Sequence, residues 1–182
     1  MGGIGKTTLA QLAWKDAKIK SKFDKIIWVC VSDPFDELKI ARAIIEGFTS
    51  EATNLVAFQS LLECIRKTIE NKKFLLILDD VWTENDDKWG QLYNSLNDGL
   101  HGESRILVTT RKEKVAQVMK SIDGIDIGVL SLDYSWLLFK QFAFCDMFQE
   151  ECEKLENIGR VIVGKCKGLP LAIKTIGSLL RF

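Results

Sequence analysis

Histidine is nearly absent from this chain, with one, His101, among 182 residues. The five cysteines form no C-x-x-C pair, so a zinc site has few ligands to draw on. Cys30, Cys64, Cys145, Cys152 and Cys166 are scattered and odd in number. That pattern reads as reduced thiols in a reducing compartment, not as a disulfide framework. Net charge is missing too, since 25 Lys plus Arg balance 25 Asp plus Glu. Such a balance draws neither the polyanionic backbone of nucleic acid nor an anionic membrane. No run approaches the ~18–20 apolar residues of a membrane span. Glycines and a lysine follow Met1, where a secretory signal would place an apolar run. These absences predict a cytoplasmic chain with no nucleic-acid partner and no membrane span. What is present is a 47% apolar fraction, enough to bury a sizeable core. The length suits one domain, or one domain and part of a second.

The order of patterns is helix, then strands alternating with helices, then helices only. Leu9, Leu12, Ala13 and Ala17 share a face of a helix starting near Lys6. Ile26 to Val31 is an unbroken apolar run, which suits a strand buried on both faces. Ser32-Asp33-Pro34 ends it with a turn and helix-start signal. Leu38, Ala41, Ile44, Ile45 and Phe48 keep helical spacing, and so do Phe58, Leu61, Leu62, Ile65 and Ile69. Phe74 to Leu78 reads as a second buried strand, Ser104 to Thr110 as a third, and Ile125 to Leu130 as a short fourth. Buried strands alternating with helices imply a parallel sheet covered on both sides. From Ser131 onward only helices are expected, around Trp136–Phe144, Glu151–Cys166 and Leu169–Leu180. The predicted organisation is an α/β domain over residues 1–130 and the start of an all-helical subdomain over 131–182.

The first eight residues, Met-Gly-Gly-Ile-Gly-Lys-Thr-Thr, carry the end of the phosphate-loop pattern G-x-x-x-x-G-K-[ST]. Gly5, Lys6 and Thr7 fill its last three fixed positions, and its first glycine would fall one place before Met1. Glycines such as Gly3 and Gly5 let backbone N–H groups turn inward around phosphate oxygens. The N-terminus of the following helix adds partial positive charge. Lys6 would reach the terminal phosphates, Thr7 would place a hydroxyl on magnesium, and Thr8 would contact an inner phosphate. The bland alternative is a glycine-rich N-terminus with a chance lysine.

A second acidic signal supports the first. Phe74 to Leu78 leads into Asp79-Asp80, at the strand end where open parallel sheets bind ligands. Asp79 is the candidate magnesium ligand, and Asp80 would orient or deprotonate an attacking water. A solvated acidic turn is the bland alternative. The third strand ends in Thr109-Thr110-Arg111, on the same edge of a parallel sheet. Arg111 would sense a terminal phosphate through charge-assisted hydrogen bonds. Alternatively, Thr109 or Thr110 caps a helix beside a solvated arginine.

Six stretches in order resemble the NB-ARC domain of plant intracellular disease-resistance proteins of the nucleotide-binding, leucine-rich-repeat type. They are Gly2 to Ala10, Phe23 to Ser32, Leu75 to Trp82 (LLILDDVW), Ser104 to Arg111, Trp136 to Phe144, and Gly168 to Ala172. Trp82 and the Trp28 to Ser32 stretch resemble the coiled-coil subclass. The resemblance implies a P-loop NTPase fold and a switch between ADP and ATP bound with Mg2+. In the family ADP marks the resting form, and slow hydrolysis resets the switch, so the intact protein would be a weak ATPase at most. Lys6 and Thr7 would contact phosphate and magnesium, Asp79 would hold magnesium, Asp80 would be the catalytic acid, and Arg111 would be the phosphate sensor. Pro170 would lie against the nucleotide base. From the residues alone, Gly168 and Pro170 read only as a break and a helix first turn.

The resemblance also implies partners within the same receptor, an N-terminal coiled coil and C-terminal leucine-rich repeats, and a homo-oligomer when active. The family's first strand and first loop glycine have no counterpart here, so the expectation is a fragment of a longer coding sequence. Two other functions compete with the switch. One is an ordinary P-loop ATPase that couples turnover to work. The other is a non-binding fragment that lacks the first strand.

Overall fold

The structure is a computed structural model that describes residues 1–31, 34–98, 103–121, 123–145 and 147–181, without the side chains of 88, 98 and 149. The chain folds into two compact units, Thr7–Gly124 and Ile125–Phe182 with Met1–Lys6.

The Thr7–Gly124 unit is built on a parallel sheet. Its strands are β1 (Lys25–Cys30), β2 (Phe74–Val81) and β3 (Arg105–Thr110), in the order β1-β2-β3 among the described residues. Lys25 pairs with Phe74 and Leu75 with Arg105, so all three strands run toward one carboxyl edge. β2 is apolar on both faces because it is covered on both, as its unbroken sequence run predicts. Period-two alternation divides its side chains. Phe74, Leu76 and Leu78 join one cluster, whereas Leu75 and Ile77 join another.

The first cluster is thick. It draws on α3 (Glu37–Thr49), α4 (Phe58–Ile69), α5 (Asp86–Asp98) and α6 (Glu113–Val118). Asp36 starts α3 by accepting the Lys39 N–H at 3.0 Å, which satisfies one of the helix's orphan donors. Buried Ile40, Ala41, Ile44, Ile45 and Phe48 form the inward stripe of α3, and Leu61, Leu62, Ile65 and Ile69 that of α4. α3 lies very close to β1 at Gly47. A Cβ there would meet Ile27 Cγ2 at 2.3 Å, so only glycine fits without movement.

The second cluster is thin. Ala10 of α1 (Lys6–Lys15) packs on Leu75 and Ile77, with Ile19, Phe23 and Trp28 partly buried around them.

Several expectations need correction. Leu9 and Leu12 do not face the core; they are 50% and 61% exposed, and Ala10 makes the buried contact instead. Nor does α1 reach Ala17. Asp16 accepts the N–H groups of Lys18 and Ile19 and starts the separate α2 (Ala17–Lys20). Ile125–Leu130 forms no strand among the described residues. Its Leu130 N–H donates instead to the Gly168 carbonyl at 2.9 Å, outside any strand ladder. β2, by contrast, ends as expected with Asp79 and Asp80 at its carboxyl end, and runs one residue further to Val81, which leaves no solvated acidic turn. The sequence patterns predict neither α5 nor α6. Ser32 and Asp33 of the expected turn, and His101, lie outside the described residues.

The other unit contains α7 (Leu132–Ala143), α8 (Gln149–Lys165) and α9 (Pro170–Leu179). Its core is aromatic, with Trp136, Phe139 and Phe144 in mutual ring contact beside Val163, Cys166 and Ile173. Ser131 caps α7 by accepting the Tyr134 N–H. Gly168 takes a left-handed φ of 71°, and a Cβ there would strike the Leu130 carbonyl at 2.3 Å. α9 then opens with Pro170 in its first turn, where a missing N–H costs nothing.

Candidate functional site

The carboxyl edge of the sheet gathers Thr7, Asp79, Asp80, Thr109, Thr110 and Arg111. Asp79 is only 6% exposed, and its Oδ1 accepts two hydroxyls. The Thr7 Oγ1 donates to it at 3.0 Å and the Thr109 Oγ1 at 2.6 Å. A buried carboxylate must be compensated in this way, because desolvating it alone is costly. Thr7 therefore arrives from the first turn of α1, Asp79 from β2 and Thr109 from β3, and the three meet at one oxygen.

Asp80 behaves differently from its neighbour. Its backbone is left-handed, with φ 56°, where L side chains are rarely found. The pairing of β2 with β3 shifts between Leu78 and Val81, so Asp79 and Asp80 form an irregular step in the ladder. The Asp80 N–H donates to Thr109 Oγ1 at 2.9 Å, which holds that step in place. Its side chain turns out to Arg111, whose Nε lies 3.5 Å from Asp80 Oδ1. The Arg111 guanidinium also lies 4.7 Å from the ring centroid of Trp82.

Helix capping does not explain the two strand-end threonines. α6 has Lys112 at its N-cap and no side-chain cap bond. Thr110 Oγ1 instead donates to the Val81 carbonyl at 2.8 Å and accepts the Lys112 N–H at 3.1 Å. Lys112 reaches Glu84 at 2.7 Å, and its hydrogen bond holds the Glu84 carboxyl below the usual range.

The phosphate-loop glycines lie in the other unit. Gly3 and Gly5 have φ of 71° and 100°. At Gly5 a Cβ would meet nothing within 4 Å, so the requirement there is purely conformational. At Gly3 a Cβ would meet the Leu171 Cβ at 2.8 Å. The Gly3 carbonyl accepts the Leu171 N–H at 3.1 Å, one residue after Pro170. Lys6 folds back over the loop and donates to the Met1 carbonyl at 2.8 Å. Thr8 is exposed on the first turn of α1.

The structure thus joins Thr7 to Asp79, Asp80 to Arg111, and Gly3 to the start of Pro170's helix. Sequence reasoning missed Thr109 as a partner of Asp79, and it read Trp82 only as a subclass marker. Thr109 was visible as one of two strand-end hydroxyls, but nothing local said which would turn toward the aspartate. Chemically, Thr7 and Asp79 supply two hard oxygen donors, while Lys6 and the loop N–H groups suit an anion.

A three-stranded parallel sheet with flanking helices and a glycine–lysine–threonine loop at the start of α1 defines the P-loop NTPase-like class of α/β folds. The NB-ARC domain model matches residues 1–149. The chain belongs to the NB-ARC domain family, whose members bind nucleotide. It is 41% identical over 184 residues to disease resistance protein RGA2 of Solanum bulbocastanum, an alignment covering 100% of this chain and 19% of that protein. It is also 41% identical over 184 residues to disease resistance RPP13-like protein 4 of Arabidopsis thaliana, covering 99% of this chain and 21% of that protein. The chain therefore spans about a fifth of the length of these relatives. No described helix is long and apolar enough to cross a membrane.

Proposed function

We propose that this chain is the nucleotide switch of an intracellular plant immune receptor, binding ADP or ATP with Mg2+. The observation that carries the reading is the junction at Asp79, where a phosphate-loop hydroxyl and a strand-end hydroxyl share one buried carboxylate oxygen. The residues fit a magnesium–phosphate group. Magnesium takes one or two protein oxygens and fills its shell with water and phosphate. Thr7 and Asp79, already in contact, are two such oxygens. They would hold the ion, whose charge would offset that of the phosphates. Gly3, Gly5 and Thr8 would cradle phosphate oxygens, and Lys6 would exchange the Met1 carbonyl for the terminal phosphates. Arg111 would contact the outermost phosphate. Pro170 would lie against the base; its support is the hydrogen bond from the next residue to Gly3.

Slow hydrolysis is preferred to a work-coupled ATPase because the chain's relatives are disease resistance proteins. In the whole receptor, the ADP form would rest and the ATP form would signal, together with a coiled coil, leucine-rich repeats and a homo-oligomer. A ligand shifts such a switch only by its differential affinity for the two states.

The test is equilibrium binding of labelled ADP and ATP, with Mg2+, to this chain and to Lys6→Ala. Saturable binding that the substitution abolishes is the expected result. Binding untouched by the substitution, or no binding by the unsubstituted chain, would overturn the reading for this chain. Turnover faster than a few per minute would favour the ATPase.

A further inference from the structure

The exits of β2 and β3 are stapled together just before Trp82 and Arg111. Val81 pairs with Thr110 across the sheet, and the Thr110 hydroxyl donates to the Val81 carbonyl at 2.8 Å. One residue earlier, the Asp80 N–H is held by the Thr109 hydroxyl. Trp82 and Arg111 each lie one residue beyond this double attachment, so their side chains leave the sheet edge next to each other. The result is a guanidinium 4.7 Å from the indole centroid, inside the range where a ring face attracts a cation. Lys112 approaches the same ring at 5.9 Å, but its ammonium is engaged by Glu84 at 2.7 Å.

Arg111 thus has two kinds of partner, and they differ in what they do to its charge. Asp80 neutralises it, through Nε at 3.5 Å with both side chains about two-fifths exposed. An ion pair that open to solvent is weak and readily exchanged. The indole face holds the cation without neutralising it, so the guanidinium stays attractive to another anion.

We propose that Trp82 is a positioning residue, holding the Arg111 guanidinium in place while it exchanges Asp80 for the terminal phosphate of a nucleoside triphosphate. Trp82 thereby sets the preference for triphosphate over diphosphate. This rests on the reading that Arg111 meets that phosphate. On that reading a diphosphate, which lacks the terminal phosphate, would not engage Arg111, and its affinity would not depend on the ring.

The experiment compares the unsubstituted chain with Trp82→Phe, Trp82→Leu, Arg111→Gln and the double variant Trp82→Leu/Arg111→Gln. Calorimetry measures ADP and a non-hydrolysable ATP analogue, with Mg2+, on each. Trp82→Leu lowers the ratio of analogue to ADP affinity on the order of two- to fivefold, the size of an exposed cation–ring contact. Trp82→Phe keeps most of the ratio, because it keeps a ring face. The double variant is no worse than Arg111→Gln alone. Equal losses for both nucleotides in Trp82→Leu, or a ratio unchanged from the unsubstituted chain, would overturn the proposal. The Arg111 Nε–H proton resonance supplies a readout that needs no ligand. A ring face shields it, and Trp82→Leu moves it downfield while Trp82→Phe does so less. If the unsubstituted chain binds neither nucleotide, the functional reading has failed. The proposal then falls with it, whereas an unmoved resonance in Trp82→Leu overturns the proposal alone, by removing the ring contact on which it stands.

Discussion

The two faces of the sheet are covered very differently. On one face, Ile27, Val29, Leu76 and Leu78 disappear beneath helices that contribute many buried aliphatic side chains. On the other, Ala10 is the buried contribution of α1, and Leu9 and Leu12 of the same helix stand in solvent. The thick face supplies most of the burial and therefore most of the stability. The thin face carries α1, which starts at the phosphate loop and brings Thr7 to Asp79. Elements with sparse apolar packing open more readily than the rest of a fold, and α1 is such an element.

Substitutions that sharpen the contrast fall in a clear order. Leu76→Ala on the thick face should cost about 2–5 kcal/mol in urea unfolding, the usual range for a buried leucine with no room to collapse. Leu9→Ala on the thin face should stay within about 0.5 kcal/mol, as exposed changes do. Equal costs would mean that the two faces do not differ as described. Gly47→Ala comes next. Its new methyl must push Ile27 or the α3 backbone aside, and an overpacked contact of this kind costs about 1–3 kcal/mol. An unchanged unfolding midpoint would show that α3 can slide along β1 freely.

The smallest effect is at Glu84. Its carboxyl is held low, chiefly by the hydrogen bond from Lys112. A carboxyl with a depressed folded-state pKa contributes stability above its unfolded value. That contribution is lost as pH falls through the folded value. Lys112→Ala should therefore raise the Glu84 titration midpoint toward 4.5, followed by the side-chain carboxyl signal in NMR. It should remove a little stability above that pH and none well below it. A midpoint unmoved by the substitution would show that Lys112 does not set it.

Elements with strong periodicity are legible in the sequence alone. α3, α4 and the buried run of β2 each carry their own pattern, because burial on one face or two leaves a local record. α5 is harder. It opens with Asp86-Asp87 and buries only Trp89, Leu92, Ser95 and Leu96 among its described side chains, too sparse a stripe to stand out in a polar stretch. Ile125–Leu130 fails in the opposite sense. A strand-like composition becomes a strand only where another strand offers a ladder, and here Gly168 takes the Leu130 N–H.

The candidate site divides along the same line. Gly5, Lys6, Thr7, Asp79, Asp80 and Arg111 can be named from sequence, because loop and strand-end chemistry demands those residue types at those spacings. Their partners cannot. Thr109 reaches Asp79 from 30 positions away along the chain, and Arg111 reaches Trp82 only because two strand exits are bonded together. Two adjacent aspartates look equivalent in a sequence. The irregular step between β2 and β3 buries one among hydroxyls and turns the other out to a guanidinium. The sequence by itself determined which residues are candidates for phosphate and magnesium. The tertiary structure alone decided which of them meet, because register and backbone handedness follow from pairing between segments distant along the chain.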